Sequence, residues 1–221
     1  DCNVSLKLTA LGLRIDPELC WDNLAAILDR AREFDNFVRF DMEDSSITQA
    51  TLEMCHRACE YYPRCGTVLQ ASLRRTLEDA RGLAGAGSNV RICKGAYIEP
   101  EAIAFQEFQE VRDSFMAVAR QLLEQGTYAC FATHDLWLIE RCEALVTELG
   151  VAPDRYEFQA LSGVPVEPTL DQLLASGHRV RYYIPFGPEW YAYSLRRMRE
   201  NPAIWRHTLR AMFSRSHHRR R

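Results

Sequence analysis

Seven short segments rich in β-branched and aromatic residues recur along the chain, near 4–9, 37–42, 67–71, 89–93, 128–132, 155–160 and 180–184, each followed by an amphipathic stretch. Runs of period two alternating with runs of period 3.6 predict βα repeats, and βα repeats without long linkers predict a parallel sheet, doubly wound or closed into a barrel. No glycine-rich GxGxxG follows any of the seven, which argues against a dinucleotide-binding fold. The helix signals are local and physical. Asp16 stands as N-cap before Pro17, with Trp21, Leu24, Leu28 and Ala31 on one face of the helix that follows. At the other end Pro188 and Glu189 open a helix that carries Arg196 and Arg197 and stops at Pro202.

Parity within the strands is more informative than their number, because alternate side chains face opposite sides of a sheet. One parity is apolar and suits packing against helices: Val4, Leu6 and Leu8; Val38, Phe40 and Met42; Val90 and Ile92; Tyr156, Phe158 and Ala160; Val180, Tyr182 and Ile184. The other holds Ser5, Lys7 and Thr9; Arg39, Asp41 and Glu43; Gln70; Arg91; Glu157 and Gln159; Arg181 and Tyr183. A barrel interior ordinarily stacks Val, Ile and Leu there. Burying unpaired ions costs several kcal/mol each, so a charged interior implies ions that pair with one another, with water or with a polar ligand. In a barrel such chemistry belongs at the C-terminal ends of the strands.

The residues at those ends carry a resemblance. Val4 to Leu11 (VSLKLTAL), Arg91 to Tyr97 (RICKGAY), Ala132 to Asp135 (ATHD), Glu157 to Gln159 (EFQ), Arg181 to Gly187 (RYYIPFG) and Tyr193 to Asn201 (YSLRRMREN) are similar, in order, to the proline dehydrogenase family of FAD-dependent, monofunctional bacterial-type barrels. The resemblance spans roughly residues 3–202. It implies a (βα)8 TIM-like barrel, with the segment at 4–11 matching the family's second strand, so that the first βα unit lies outside this chain. An open barrel of that kind would expose two sheet edges. Residues 1–204 are then the barrel domain and 205–221 a basic tail.

The resemblance also implies an activity: oxidation of L-proline, preferred over hydroxyproline, to pyrroline-5-carboxylate by hydride transfer to FAD, with a quinone as electron acceptor. Residue by residue, Arg196 and Arg197 match the carboxylate clamp, for which guanidinium forks are suited. Glu200 matches a carboxylate near the active-site entrance, and Lys7 and Asp41 match buried ionic partners. Tyr97, Leu161, Tyr183 and Tyr193 match the wall around the proline ring, where Tyr183 occupies the space a ring hydroxyl would need. Gln70, Arg91, Lys94, Gly95, Ala96, Thr133, His134 and Glu157 fall where the family contacts FAD. The chain departs from the family at Ser72 and Ser162, where a tyrosine and a bulky residue are common. A pyrroline-5-carboxylate dehydrogenase is an implied partner, fused or separate.

Charge and composition bound the rest. The chain has 27 basic and 30 acidic residues, yet residues 206–221 carry six Arg and no acid, so the body is acidic and the tail basic. A terminal charge run of this length reads as solvated, with no nucleic-acid partner implied. No apolar stretch approaches the roughly eighteen residues of a membrane span, and no basic-then-apolar leader opens the chain, so the reading is a cytoplasmic protein with possible peripheral contact at a membrane. Eight cysteines lack a Cys-x-x-Cys unit and read as reduced thiols; Cys55, His56, Cys59 and Cys65 form the densest group, with no metal expected. Two competing readings remain: a Schiff-base aldolase using Lys7 or Lys94, and a degenerate barrel serving as a scaffold.

Overall fold

The computed structural model describes residues 2–83, 88–164 and 166–187. Seven parallel strands follow one another in space as they do in sequence: β1 (Val4–Leu6), β2 (Val38–Phe40), β3 (Cys65–Gln70), β4 (Asn89–Cys93), β5 (Tyr128–Ala132), β6 (Tyr156–Leu161) and β7 (Val180–Tyr183). Between them run α1 (Pro17–Glu33), α2 (Thr48–Tyr61), α3 (Thr76–Gly82), α4 (Phe108–Glu124), α5 (Leu136–Glu148) and α6 (Glu167–Ala175). The expected βα alternation is therefore present among the described residues, as seven strands with six α-helices between them. Among the described residues β1 and β7 each pair on one side only, and the sheet is curled rather than closed.

Local signals act as the sequence implies. The Asp16 carboxylate accepts from the Glu18 amide at 2.9 Å and Pro17 begins α1, satisfying one orphan donor and omitting another. β1 is shorter than the alternating pattern 4–9 suggested, because Leu8–Leu11 turn into a 3-10 helix that ends at Gly12. Gly12 takes a left-handed conformation there, and its amide returns to the Leu8 and Thr9 carbonyls.

The apolar parity packs outward against the helices in two clusters. Leu24 and Leu28 of α1 and Met54 and Ala58 of α2 bury Val38 and Phe40. Phe115, Val118 and Leu122 of α4 and Ile139 and Cys142 of α5 bury Ile92, Phe131 and Phe158. Phe131 and Phe158 pack at a tilt with centroids 5.4 Å apart, and Tyr156 meets Phe158 edge-on at 6.0 Å. Each such side chain contributes about 1.5–3 kcal/mol on leaving water. The pattern breaks at the two end strands, where Val4, Tyr182 and Ile184 are exposed rather than packed on helices. An end strand has a neighbouring βα unit on one side only, so the outer face there is half covered.

Candidate active site

The opposite parity converges inside the curl. Parallel registers align Ser5 with Arg39, Arg91 with Cys130, Cys130 with Glu157 and Gln159 with Arg181, so the polar residues form tiers. In the lower tier Arg39 is wholly buried. It donates to the Thr67 carbonyl at 2.9 Å, the Asn89 carbonyl at 3.1 Å, the Asn89 side-chain oxygen at 2.6 Å and the Cys130 sulfur at 3.4 Å. Burial pulls its pKa below the ordinary guanidinium value, yet arginine stays charged in proteins, so neutral acceptors hold the cation in place. Gly66 makes this approach possible: a Cβ there would lie 2.1 Å from the Asn89 carbonyl oxygen.

Arg91 is the hub of the upper tier. Its Nε donates to Gln159 Oε1 at 2.6 Å, Nη1 to Asp41 Oδ1 at 2.9 Å and Nη2 to Ser5 at 3.3 Å. The Tyr183 hydroxyl donates to the second oxygen of Asp41 at 3.1 Å, and the Arg91 guanidinium lies 5.4 Å from the Tyr183 ring centroid. The Gln159 amide in turn donates to Glu157, which accepts from Arg181 Nε at 2.9 Å and from the Tyr128 hydroxyl at 3.2 Å. Burial opposes ionisation of Glu157, but Arg181 and Gln159 hold its carboxyl below the ordinary value. Burial and the Glu157 charge push the Tyr128 phenol up to about 12, which keeps it a donor.

Above these tiers the loops after the strands add a third layer. Thr9 donates to Glu43 at 2.6 Å, and the Gln70 amide donates to the Glu43 carbonyl at 2.7 Å. Lys94 ion-pairs with Asp135, which also takes a two-pronged contact from Arg112 at 2.8 and 2.7 Å. Arg112 stacks on Phe108 and Trp137, at 4.4 and 4.8 Å from their centroids. Burial alone would raise the Asp135 pKa, but Arg112 and Lys94 hold it down to about 2. The Thr133 hydroxyl accepts from the Asp135 amide at 3.1 Å. His134 Nε2 accepts the Leu161 amide at 2.9 Å, which requires that nitrogen unprotonated; burial and Lys94 lower its pKa accordingly. Gly95 sits at φ 114°, where a Cβ would meet the Ser72 hydroxyl at 2.2 Å. Ala96 is exposed and Tyr97 half-buried beside it.

The fold thus brings Asp41, Arg91, Glu157 and Tyr183 into one network. Lys7 lies at the end of β1, with Asp41 engaged by Arg91 and Tyr183 instead of by a lysine. Tyr193, Arg196, Arg197 and Glu200 lie outside the described residues, as does the tail. Ser5, Gln159 and Asn89 were not singled out from the sequence as site residues, although each stands on the inward parity. No helix among the described residues is long and apolar enough to cross a membrane.

A family model described as proline dehydrogenase matches residues 1–208. The chain belongs to the proline dehydrogenase family. It is 39% identical over 201 residues to "Proline dehydrogenase 2" of Bacillus subtilis (strain 168), covering 91% of this chain and 66% of that protein. It is 36% identical over 204 residues to "Proline dehydrogenase" of Deinococcus radiodurans, covering 90% of this chain and 66% of that one. The chain therefore spans just under two thirds of the length of these proline dehydrogenases. Among solved structures it is similar to proline utilization A from Bdellovibrio bacteriovorus inactivated by N-propargylglycine, at a TM-score of 0.80 and 28% identity over 89% of this chain and 24% of that one. The curled parallel sheet is thus a proline dehydrogenase fold.

Proposed function

We propose that this chain forms the catalytic barrel of an FAD-dependent proline dehydrogenase that oxidises L-proline to pyrroline-5-carboxylate, the first step of proline catabolism to glutamate. The observation that carries the reading is the Arg91 network, an inward cation fixed by Asp41, Ser5 and Gln159 at the C-terminal end of a barrel whose family is proline dehydrogenase. Those three bonds use three of the five guanidinium N–H groups, which leaves two for a ligand.

The donor set fits a flavin. Arg91 offers a fixed positive charge that would stabilise an anionic reduced ring, and Gly95 and Ala96 present backbone at an exposed turn. Gln70, Lys94, Thr133 and His134 stand at the same end of the barrel and would hold the group, while Glu157, lower on β6, would support it through Gln159 and Arg91. Bound FAD supplies the hydride acceptor. The chain's own residues position the substrate and exclude water. Tyr183, held by Asp41, and Leu161, held by His134, would wall the proline ring together with Tyr97 and Tyr193. The Tyr183 hydroxyl, fixed toward Asp41, would crowd a ring hydroxyl and so favour proline over hydroxyproline. Arg196 and Arg197 would clamp the carboxylate, with Glu200 at the entrance and Lys7 beside Asp41 as support. The bifunctional protein PutA of Escherichia coli, 26% identical over 246 residues, supports coupling to a pyrroline-5-carboxylate dehydrogenase. A quinone acceptor, and with it peripheral contact of a cytoplasmic protein with a membrane surface, complete the proposal.

The test is the visible spectrum of the purified protein supplied with FAD, recorded before and after anaerobic addition of L-proline. Bleaching by proline and not by hydroxyproline is the expected result. Bound flavin that proline leaves oxidised would overturn the substrate assignment, and no bound flavin would overturn the cofactor.

A further inference from the structure

Three thiols gather at the N-terminal end of β3, the end of the barrel opposite the Arg91 network. Cys55 and Cys59 lie four residues apart on one face of α2, and Cys65 opens β3 after a turn through Pro63. The Cys55 and Cys59 sulfurs are 3.9 Å apart, and those of Cys59 and Cys65 are 3.0 Å apart. The second distance exceeds a disulfide bond of about 2.05 Å by about 1 Å, a gap that small side-chain rotations can close. Access is graded. Cys59 is partly exposed, whereas Cys65 is only 1% exposed and donates to the Tyr62 carbonyl at 3.1 Å. His56 turns outward to Glu60 at 3.6 Å, away from the thiols, and the described residues contain no arrangement of three ligands suited to a metal ion. A hydrogen bond from the Cys55 thiol favours a thiolate at Cys59, against the effect of burial, and the Arg39 charge lies on the same side of the fold.

We propose that Cys59 and Cys65 form a thiol–disulfide couple, with Cys59 attacking and Cys65 resolving. The oxidant is a low-molecular-weight disulfide. The Cys59 thiolate attacks one of its sulfurs, breaking that S–S bond and releasing one thiolate. Cys65 then attacks the Cys59 sulfur, forming the Cys59–Cys65 bond and expelling the second thiolate, while the Cys65 proton passes to the released thiolates through solvent. Two protein thiols are oxidised and one small disulfide is reduced. The bond closes a seven-residue loop and ties the last turn of α2 to the first residue of β3. It is independent of the flavin reading.

Arg57, Arg64 and Arg74 place the three thiols on separate tryptic peptides, residues 40–57, 58–64 and 65–74, so peptide mapping separates every pairing. The full chain is incubated with glutathione disulfide, alkylated and digested. The expected product joins 58–64 to 65–74, two hydrogens lighter than the two thiol peptides and restored by reductant. In Cys65→Ser the expected product is glutathione retained on Cys59. Stable glutathione on Cys59 of the unaltered chain, a Cys55–Cys59 link, or reaction confined to the exposed Cys2 would each overturn the proposal. The mapping of the unaltered chain decides the matter even if Cys65→Ser does not fold.

Discussion

Gln159 does something no charged residue could do in its place. Its carbonyl oxygen accepts from Arg91 and its amide nitrogen donates to Glu157, so a cation on one side and a carboxylate on the other dictate which way the amide faces. A carboxylate would repel Glu157, and an amine would repel Arg91. Replacing Gln159 by Leu leaves a guanidinium N–H and a carboxylate oxygen buried without that partner, and each such loss costs about 1–3 kcal/mol. Gln159→Leu is therefore expected to lose about 2–4 kcal/mol in urea unfolding, with weaker flavin retention. An unchanged midpoint would show that Arg91 is held by Asp41 and Ser5 alone. The inward parity of this residue was legible in the sequence, and so was its place in the EFQ motif. Its partners were not, because Arg91 reaches it across 68 positions and Asp41 across 50. Period-two reasoning tells which side chains face inward and stops short of which acceptor a long guanidinium stem selects.

At the scale of elements, Asp135 binds three together. It caps α5 by accepting the Trp137 amide at 3.2 Å, receives Arg112 from α4, and anchors Lys94 after β4. Its pKa falls from 3.8 to about 2, a lowered folded-state value. A depressed carboxylate stabilises the fold above its unfolded pKa and loses that contribution as pH falls through the folded one. The contribution, on the order of 2 kcal/mol at about 1.4 kcal/mol per pKa unit, should be complete above about pH 5 and fade toward pH 2. Urea titrations at pH 6 and pH 3 check this. Asp135→Asn is expected to be less stable than the unaltered chain at pH 6 and to lose less stability between the two. Element order was legible throughout, since α1, β2 and β4 to β7 fall within about two residues of the ranges read from pattern. β1 was read too long because Leu6 and Leu8 continue the alternation, while the buried Leu8 and left-handed Gly12 turn the chain into a 3-10 helix. Exposure of Val4, Tyr182 and Ile184 was equally invisible, because a residue pattern records a face and not what covers it.

For the molecule as a whole, a polar interior whose ions pair with one another still gains stability from a ligand. Any ligand that binds only the native state adds RT ln(1 + [L]/Kd), about 2.7 kcal/mol at a hundredfold excess over Kd. In a chain of this size that corresponds to a rise of roughly 5–10 °C in Tm. Thermal melts with and without FAD should show it, and a melt indifferent to FAD would favour the scaffold reading. Schiff-base chemistry draws no support from Lys94, whose amine is ion-paired to Asp135.

The hydrogen bond from Tyr183 to Asp41 joins residues 142 positions apart. On a ribosome adding roughly 5–20 residues per second, Asp41 emerges on the order of ten seconds before the tyrosine that will meet it. Through that interval the acidic end of β2 faces water, because the Asp41–Tyr183 contact forms only once β7 has been made. The Asp41–Tyr183 pair is therefore among the last contacts of the inward network to form, and a nascent chain released before residue 183 carries Arg91 and Asp41 without that tyrosine.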